Sequence, residues 1–219
     1  MRKNHWLVAG LAGVVAAGSA AAWTGTAGFR FVSASATSAA TSAAAGATVL
    51  AADEYKVDSG HTSVLFKVSH LGVTNFWGRF NKVTGSYTID KDNPSASTIS
   101  IDIDAESVDS NSAGRDRHLR SPDFFNTAQF PTATFRSTSV SGGANGSFDV
   151  EGDLTIRGVT KPVEFTLDWI GEGDRGNFGY RSGWETEVVI NRSEFGVSYL
   201  PQGLGEEVTL VIAVEGIRE

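Results

Sequence analysis

Apolar and polar residues alternate with a period of two along most of the chain after residue 62. Val64, Phe66 and Val68 face one way, and Ser63, Lys67 and Ser69 the other. Trp77–Asp90 continues the alternation through Phe80 and then Val83, Gly85, Tyr87 and Ile89. The phase slips between Phe80 and Val83, which predicts a bulge or bend. In Ser97–Ala105, Ile99, Ile101, Ile103 and Ala105 alternate with hydroxyls and aspartates, and Thr132–Val140 resumes the pattern. Phe148, Val150, Gly152, Leu154 and Ile156 mark a fifth run, and Val163, Phe165, Leu167 and Trp169 a sixth. Trp184–Ile190 and Val208–Val214 bring the total to about eight half-buried strands. Asp92-Asn93-Pro94 and the glycine-rich Gly142–Gly146 supply turns between them.

One stretch breaks the period. Arg115–Phe135 (RDRHLRSPDFFNTAQFPTATF) falls between the third and fourth strands. Ser121-Pro122 offers an N-cap followed by proline at the first helical position, with Asp123 in the first turn, so a short helical insertion is predicted there. Phe124, Phe125 and Phe130 are too apolar for an idle loop and are expected to cover something the strands enclose.

The polar faces carry so much Asp, Glu and Thr that they must be wet, and the apolar faces need a common interior. A sandwich or a closed barrel would supply one, and closure removes exposed edges. An eight-stranded barrel is either just filled by side chains or holds one small ligand. Glycines interrupt the apolar faces at Gly78, Gly85, Gly152 and Gly183. A cavity tolerates missing side chains there, and β-bulges also explain glycines in strands.

The start of the chain follows other rules. Arg2 and Lys3 precede an uncharged, Ala/Gly-rich run from Trp6 to Trp23, so residues 1–22 read as a cleaved signal peptide or an uncleaved signal anchor. Residues 23–52, rich in Ala, Ser, Thr and Gly, lack the apolar content to order themselves and read as a flexible linker. The folded domain spans 53–219. These features predict a periplasmic or secreted protein, membrane-anchored if the first segment is retained.

A net charge of −7 argues against nucleic acid, whose phosphates require a basic face. The absence of cysteine removes thiol catalysis and thiolate zinc sites. Gly171, Gly173 and Gly176 match a dinucleotide-type glycine spacing but open no helix, so they read as a turn. His61, His70 and His118 are not spaced as helical metal ligands and read as hydrogen-bonding side chains. Ser121, His118 and Asp123 lie close in sequence, but no nucleophile-elbow motif accompanies them. No cofactor, metal site or enzyme activity is expected.

Longer motifs carry a resemblance. HLRSPDFF (118–125), FPTATFRS (130–137), DLTIRGVTKPVEF (153–165), NRSEFGV (191–197) and the opening YKVDSGHTSVLFKVSHLGV (55–73) resemble the YceI-like family of lipid-binding, lipocalin-like proteins. The match covers nearly all the chain from residue 54. It implies an all-β fold, an eight-stranded antiparallel lipocalin-like barrel with a short helical insertion between strands 3 and 4. It also implies an isoprenoid chain held in the lumen for transport, storage or sequestration. A quinone or other apolar metabolite, or a ligand-free structural or stress-response barrel, are the alternatives. The inward-facing candidates for lumen and lid are Phe66, Phe80, Ile101, Ile103, Phe124, Phe125, Phe135, Leu154, Ile156, Phe165, Leu167, Trp184 and Leu210. Arg115, Arg117, His118 and Arg120 are the head-group candidates. Strands of about ten residues tilted near 40° make a barrel only about 25 Å tall, so a longer tail folds back or protrudes. Transient contact with a membrane is expected, and the oligomeric state is not specified.

Overall fold

The alternating runs pair into one antiparallel sheet that closes on itself. The computed structural model describes residues 53–219; the expected export segment (1–22) and linker (23–52) lie outside the described residues. The strand segments are β1 (Glu54–Val57), β2 (Ser63–His70), β3 (Thr74–Phe80), β4 (Val83–Thr88), β5 (Thr98–Asp104) and β6 (Val108–Asp109), then β7 (Thr132–Gly142), β8 (Ser147–Ile156), β9 (Val159–Asp174), β10 (Tyr180–Asn191) and β11 (Leu204–Arg218). Among the described residues one α-helix, α1 (Ala113–Arg120), lies between β6 and β7.

These eleven segments make eight strands. β1 and β2 are halves of one strand, since both pair with β11, Val57 opposite Gly216 and Ser63 opposite Ala213. β3 and β4 are halves of the next, paired with β2 and β1 and parted at Asn81-Lys82, where the phase slip was predicted. β5 and β6 are split by a 3₁₀ turn at Ala105–Ser107. The ring β1-β4-β5-β7-β8-β9-β10-β11 closes through the β1–β11 pairing, giving the antiparallel barrel rather than a sandwich. The segment β1 goes beyond the sequence reading, which began its first strand at Ser63.

The helical insertion falls between the third and fourth strands, as expected, but its helix precedes Ser121-Pro122 instead of starting there. α1 ends at Arg120, and Ser121 is its C-cap rather than an N-cap. Pro122 is the reason, because the residue before a proline is driven out of the helical region, and Ser121 is extended at ψ 170°. Hydrogen-bonded turns follow, with Phe125 N–H donating to Leu119 O at 2.9 Å and Thr127 N–H to Arg120 O at 3.0 Å.

Two of the four glycines are seats for aromatic rings instead of openings. A Cβ on Gly78 would lie 2.2 Å from Phe66 Cζ, and one on Gly152 would lie 2.4 Å from Phe135 Cζ. Gly183 sits at a register shift between β9 and β10, in keeping with a bulge.

The barrel has two unlike ends. One carries the β4–β5, β7–β8 and β9–β10 connections and is packed solid by Tyr55, Tyr87, Ile99, Val140, Phe148, Val150 and Leu167, all buried. Tyr55 stacks on Tyr87 at 5.4 Å, and Trp184 meets Tyr87 edge-on at 5.9 Å. The Tyr87 hydroxyl lies 2.7 Å from Ser182 Oγ, and burial pushes its pKa up to about 12. The other end carries the β2–β3 turn, α1 with residues 121–131, the β8–β9 turn and the β10–β11 connection.

Candidate functional site: an apolar cavity

Between the packed end and the helix-bearing end lies a cavity of about 680 Å³. Its walls are the inward faces of the strands. Phe66, Phe80, Ile101, Ile103, Phe135, Leu154, Ile156, Phe165 and Leu210 line it, with Trp184 toward the packed end. The buried Trp184 indole N–H has no acceptor among the described residues. Leu167 does not line the cavity. It faces inward beside Phe148, fully buried in the packed end, so its expected place in the lumen is corrected to core. Alternation tells inward from outward but not how far along the axis a barrel is filled.

Phe124 and Phe125 also line the cavity, at the helix-bearing end. Phe125 meets Phe80 edge-on at 5.3 Å. Phe124 packs against the His118 ring at 5.0 Å and Tyr199 at 5.2 Å. Residues 121–131 therefore cover one end of the cavity with aromatic side chains, held by the turns that follow α1.

The head-group candidates separate. Arg115 and His118 line the cavity; Arg117 and Arg120 do not. Arg115 lies over the Phe76 ring at 4.4 Å and donates from Nε to Ser110 Oγ at 2.9 Å. His118 Nε2 lies 2.9 Å from Asp123 Oδ2. Arg120 donates to the Glu106 and Val108 carbonyls at 2.8 and 2.9 Å, anchoring the end of α1 to the 3₁₀ turn. Arg117 points to solvent. A helix this polar shows no periodicity from which its inner face could be read.

Two arginines at this site went unpicked by sequence reasoning. Arg157, at a left-handed φ of 52°, donates from Nη1 to the Phe124 and Gly196 carbonyls, both at 2.8 Å. It ties the aromatic cover to the β10–β11 connection. Arg192 is buried and gives its donors to the carbonyls of Gly205, Val197, Tyr199 and Leu204. Both lie inside the motifs DLTIRGV and NRSEFGV, which was the available signal. Their hydrogen bonds go to backbone, so they brace the cavity's rim.

The remaining titratable clusters are accounted for by pairing. Ser121 Oγ accepts from Asp123 N–H at 3.4 Å, while Asp123 holds His118. That order, serine to aspartate to histidine, does not place a base on the hydroxyl. At the packed end Asp58, His61 and Glu215 converge, but Arg181 bridges both carboxylates, at 2.7 Å from Asp58 Oδ2. Arg181 first, and His61 second, hold the Asp58 carboxyl down at about 2.

Comparison with known proteins agrees with this architecture. A family model described as the YceI-like domain matches residues 55–216. A UPF0312 protein of Pseudomonas aeruginosa (strain LESB58) is 45% identical over 171 residues, covering 77% of this chain and 88% of the relative. The crystal structure of Burkholderia cenocepacia BcnA is similar at a TM-score of 0.67 and 20% identity, over 73% of this chain and 98% of that one. A polyisoprenoid binding domain from Saccharophagus degradans, implicated in plant cell wall breakdown, is similar at a TM-score of 0.59 and 15% identity, over 75% and 98%. By the family model and the identity to its relatives, the chain belongs to the YceI-like domain family.

Proposed function

We propose that this protein binds one apolar chain, an isoprenoid, in the barrel cavity, and that it carries or sequesters that lipid outside the cytoplasm. The carrying observation is the cavity itself, walled by aromatic and aliphatic side chains where a filled barrel would have packed ones. Its volume lies within the roughly 300–1,000 Å³ of sites that take a drug-sized ligand. It therefore suits one moderate chain or the end of a longer one. Burying each CH₂ gains about 0.8 kcal/mol against water and almost nothing against a bilayer. Such a protein moves or holds lipid without draining a membrane, and binding rather than catalysis is its role. The name of the Saccharophagus relative supports the ligand class. The reading includes residues 1–22 as the export signal or anchor and 23–52 as the tether.

Delipidated protein mixed with polyprenols of graded length, then passed through gel filtration, tests this. One-to-one retention of polyprenol supports the reading, and a prenylated quinone retained equally well shows that the chain is recognised and the head is not. Retention of no apolar chain at all would overturn it.

A further inference from the structure

At the helix-bearing end the chain exposes its leucines under strain. Leu71, at the β2–β3 turn, has φ 54°, and Leu200, in the β10–β11 connection, has φ 53°. That left-handed region is one bulky L-residues rarely adopt, and asparagine or glycine would occupy it at lower cost. Yet Leu71 is 60% exposed and Leu200 44% exposed, so burial does not compensate the strain at either position. Strained residues persist where the surroundings impose them and cluster at functional sites.

The two turns are neighbours. Leu71 N–H donates to Gly203 O at 2.8 Å, and Gly203 N–H donates to Leu200 O at 3.0 Å. Val73 and Tyr199 beside them are exposed as well, Val73 by 80%. The apolar tips border the cavity: Leu200 and Tyr199 from one connection, and His70 and Thr74 from the other, are among its lining residues.

We propose that these tips form a membrane-docking surface, inserting Leu71, Val73 and Leu200 into a lipid bilayer so that the cargo passes between bilayer and cavity without crossing water. The inference rests on the lipid-carrying reading above. Three observations choose a bilayer over a protein partner. The patch consists of single side chains on narrow turns, a shape that penetrates a deformable surface better than it matches a rigid one. It is continuous with the entrance of a cavity whose contents are soluble in a bilayer and not in water. The cavity lining also carries Arg115, His118 and Arg157 and, among the described residues, no carboxylate. Asp123 stands nearby but is paired with His118. The path from headgroups to cavity thus meets no lining carboxylate, and the exposed Glu194, Glu206 and Glu207 lie on the outer face of this end.

The test compares wild type with the double variant Leu71→Asn, Val73→Ser, two exposed tip residues outside the cavity lining, both proteins recovered from an exporting host so that the first 52 residues are processed alike. Asparagine accepts the left-handed backbone of residue 71, so the fold is kept while the apolar tip is lost. Flotation with phosphatidylethanolamine–phosphatidylglycerol vesicles, and the rate of polyprenol transfer from them, should fall at least roughly tenfold. Retention of preloaded polyprenol should not change, and Tm should hold or rise. A variant that floats and transfers like wild type, or one that loses Tm and retention together, overturns the proposal. Wild type that retains polyprenol but never meets vesicles also overturns it, while leaving the lipid-carrying reading intact. Tip-dependent flotation with no polyprenol retained would instead remove the lipid-carrying reading and leave the docking surface standing.

Discussion

The Asp58–Arg181–Glu215 clasp shows how one side chain secures the barrel where a strand is broken. Arg181 on β10 reaches the 58–62 bulge between β1 and β2 and also Glu215 on β11. Replacing Arg181 with Ala leaves two carboxylates facing each other and should lower the unfolding midpoint. Denaturant titration checks it. The pH dependence follows from Asp58, whose folded pKa is lowered to about 2. A lowered carboxyl stabilises above its ordinary range near pH 4, and that contribution is lost as pH falls toward 2. The Tm advantage of wild type over Asp58→Asn should therefore shrink across that window; parallel curves would show that the pairing is not made. Phe124 and Leu167 make a second contrast. Truncating fully buried Leu167 to Ala should cost about 2–5 kcal/mol. Replacing Phe124 and Phe125 with Ala at the cavity end should cost less but release lipid faster, read by thermal unfolding beside a lipid-release assay. From sequence Leu167 looked equivalent to the cavity-lining Leu154 and Phe165, because an inward-facing residue carries no mark of its depth along the barrel.

At the scale of elements, legibility followed the wet face. Strands with one polar and one apolar side announced themselves, and even the break at Asn81-Lys82 left a trace as a slipped phase. β1 was too short, at four residues, to display a period. α1 buries Leu119 alone, so it offered no helical periodicity, and Ser121-Pro122 invited a start where the chain in fact stops. What holds α1 is not its own propensity but Arg120, whose guanidinium spans the Glu106 and Val108 carbonyls. Arg120→Lys keeps the charge but not the planar fork. It should cost about 1 kcal/mol and speed amide hydrogen exchange in residues 113–131 while leaving β7–β11 unchanged. Equal exchange in both proteins would show that the insertion is held by its aromatic contacts instead.

For the whole molecule, alternation established eight strands sharing an interior, but a barrel and a sandwich satisfy that equally. Closure depends on Tyr55–Val57 meeting Gly216–Arg218, a pairing between the two ends of the domain that no local pattern encodes; the family motifs pointed to it. The cavity was hidden for a related reason. Two of the glycines that suggested open space, Gly78 and Gly152, are covered by Phe66 and Phe135, whereas the real opening arises where long strands outrun the packed end. Whether that space carries a lipid is the central claim, and occupancy tests it directly. Native mass spectrometry of protein recovered from an exporting host, without detergent, should show the polypeptide plus one apolar molecule that partitions into organic solvent. Ala133→Trp, which fills the cavity from β7, should remain folded and lose that added mass. A bare polypeptide mass with an empty organic extract, or an Ala133→Trp variant that keeps its lipid, would contradict the account.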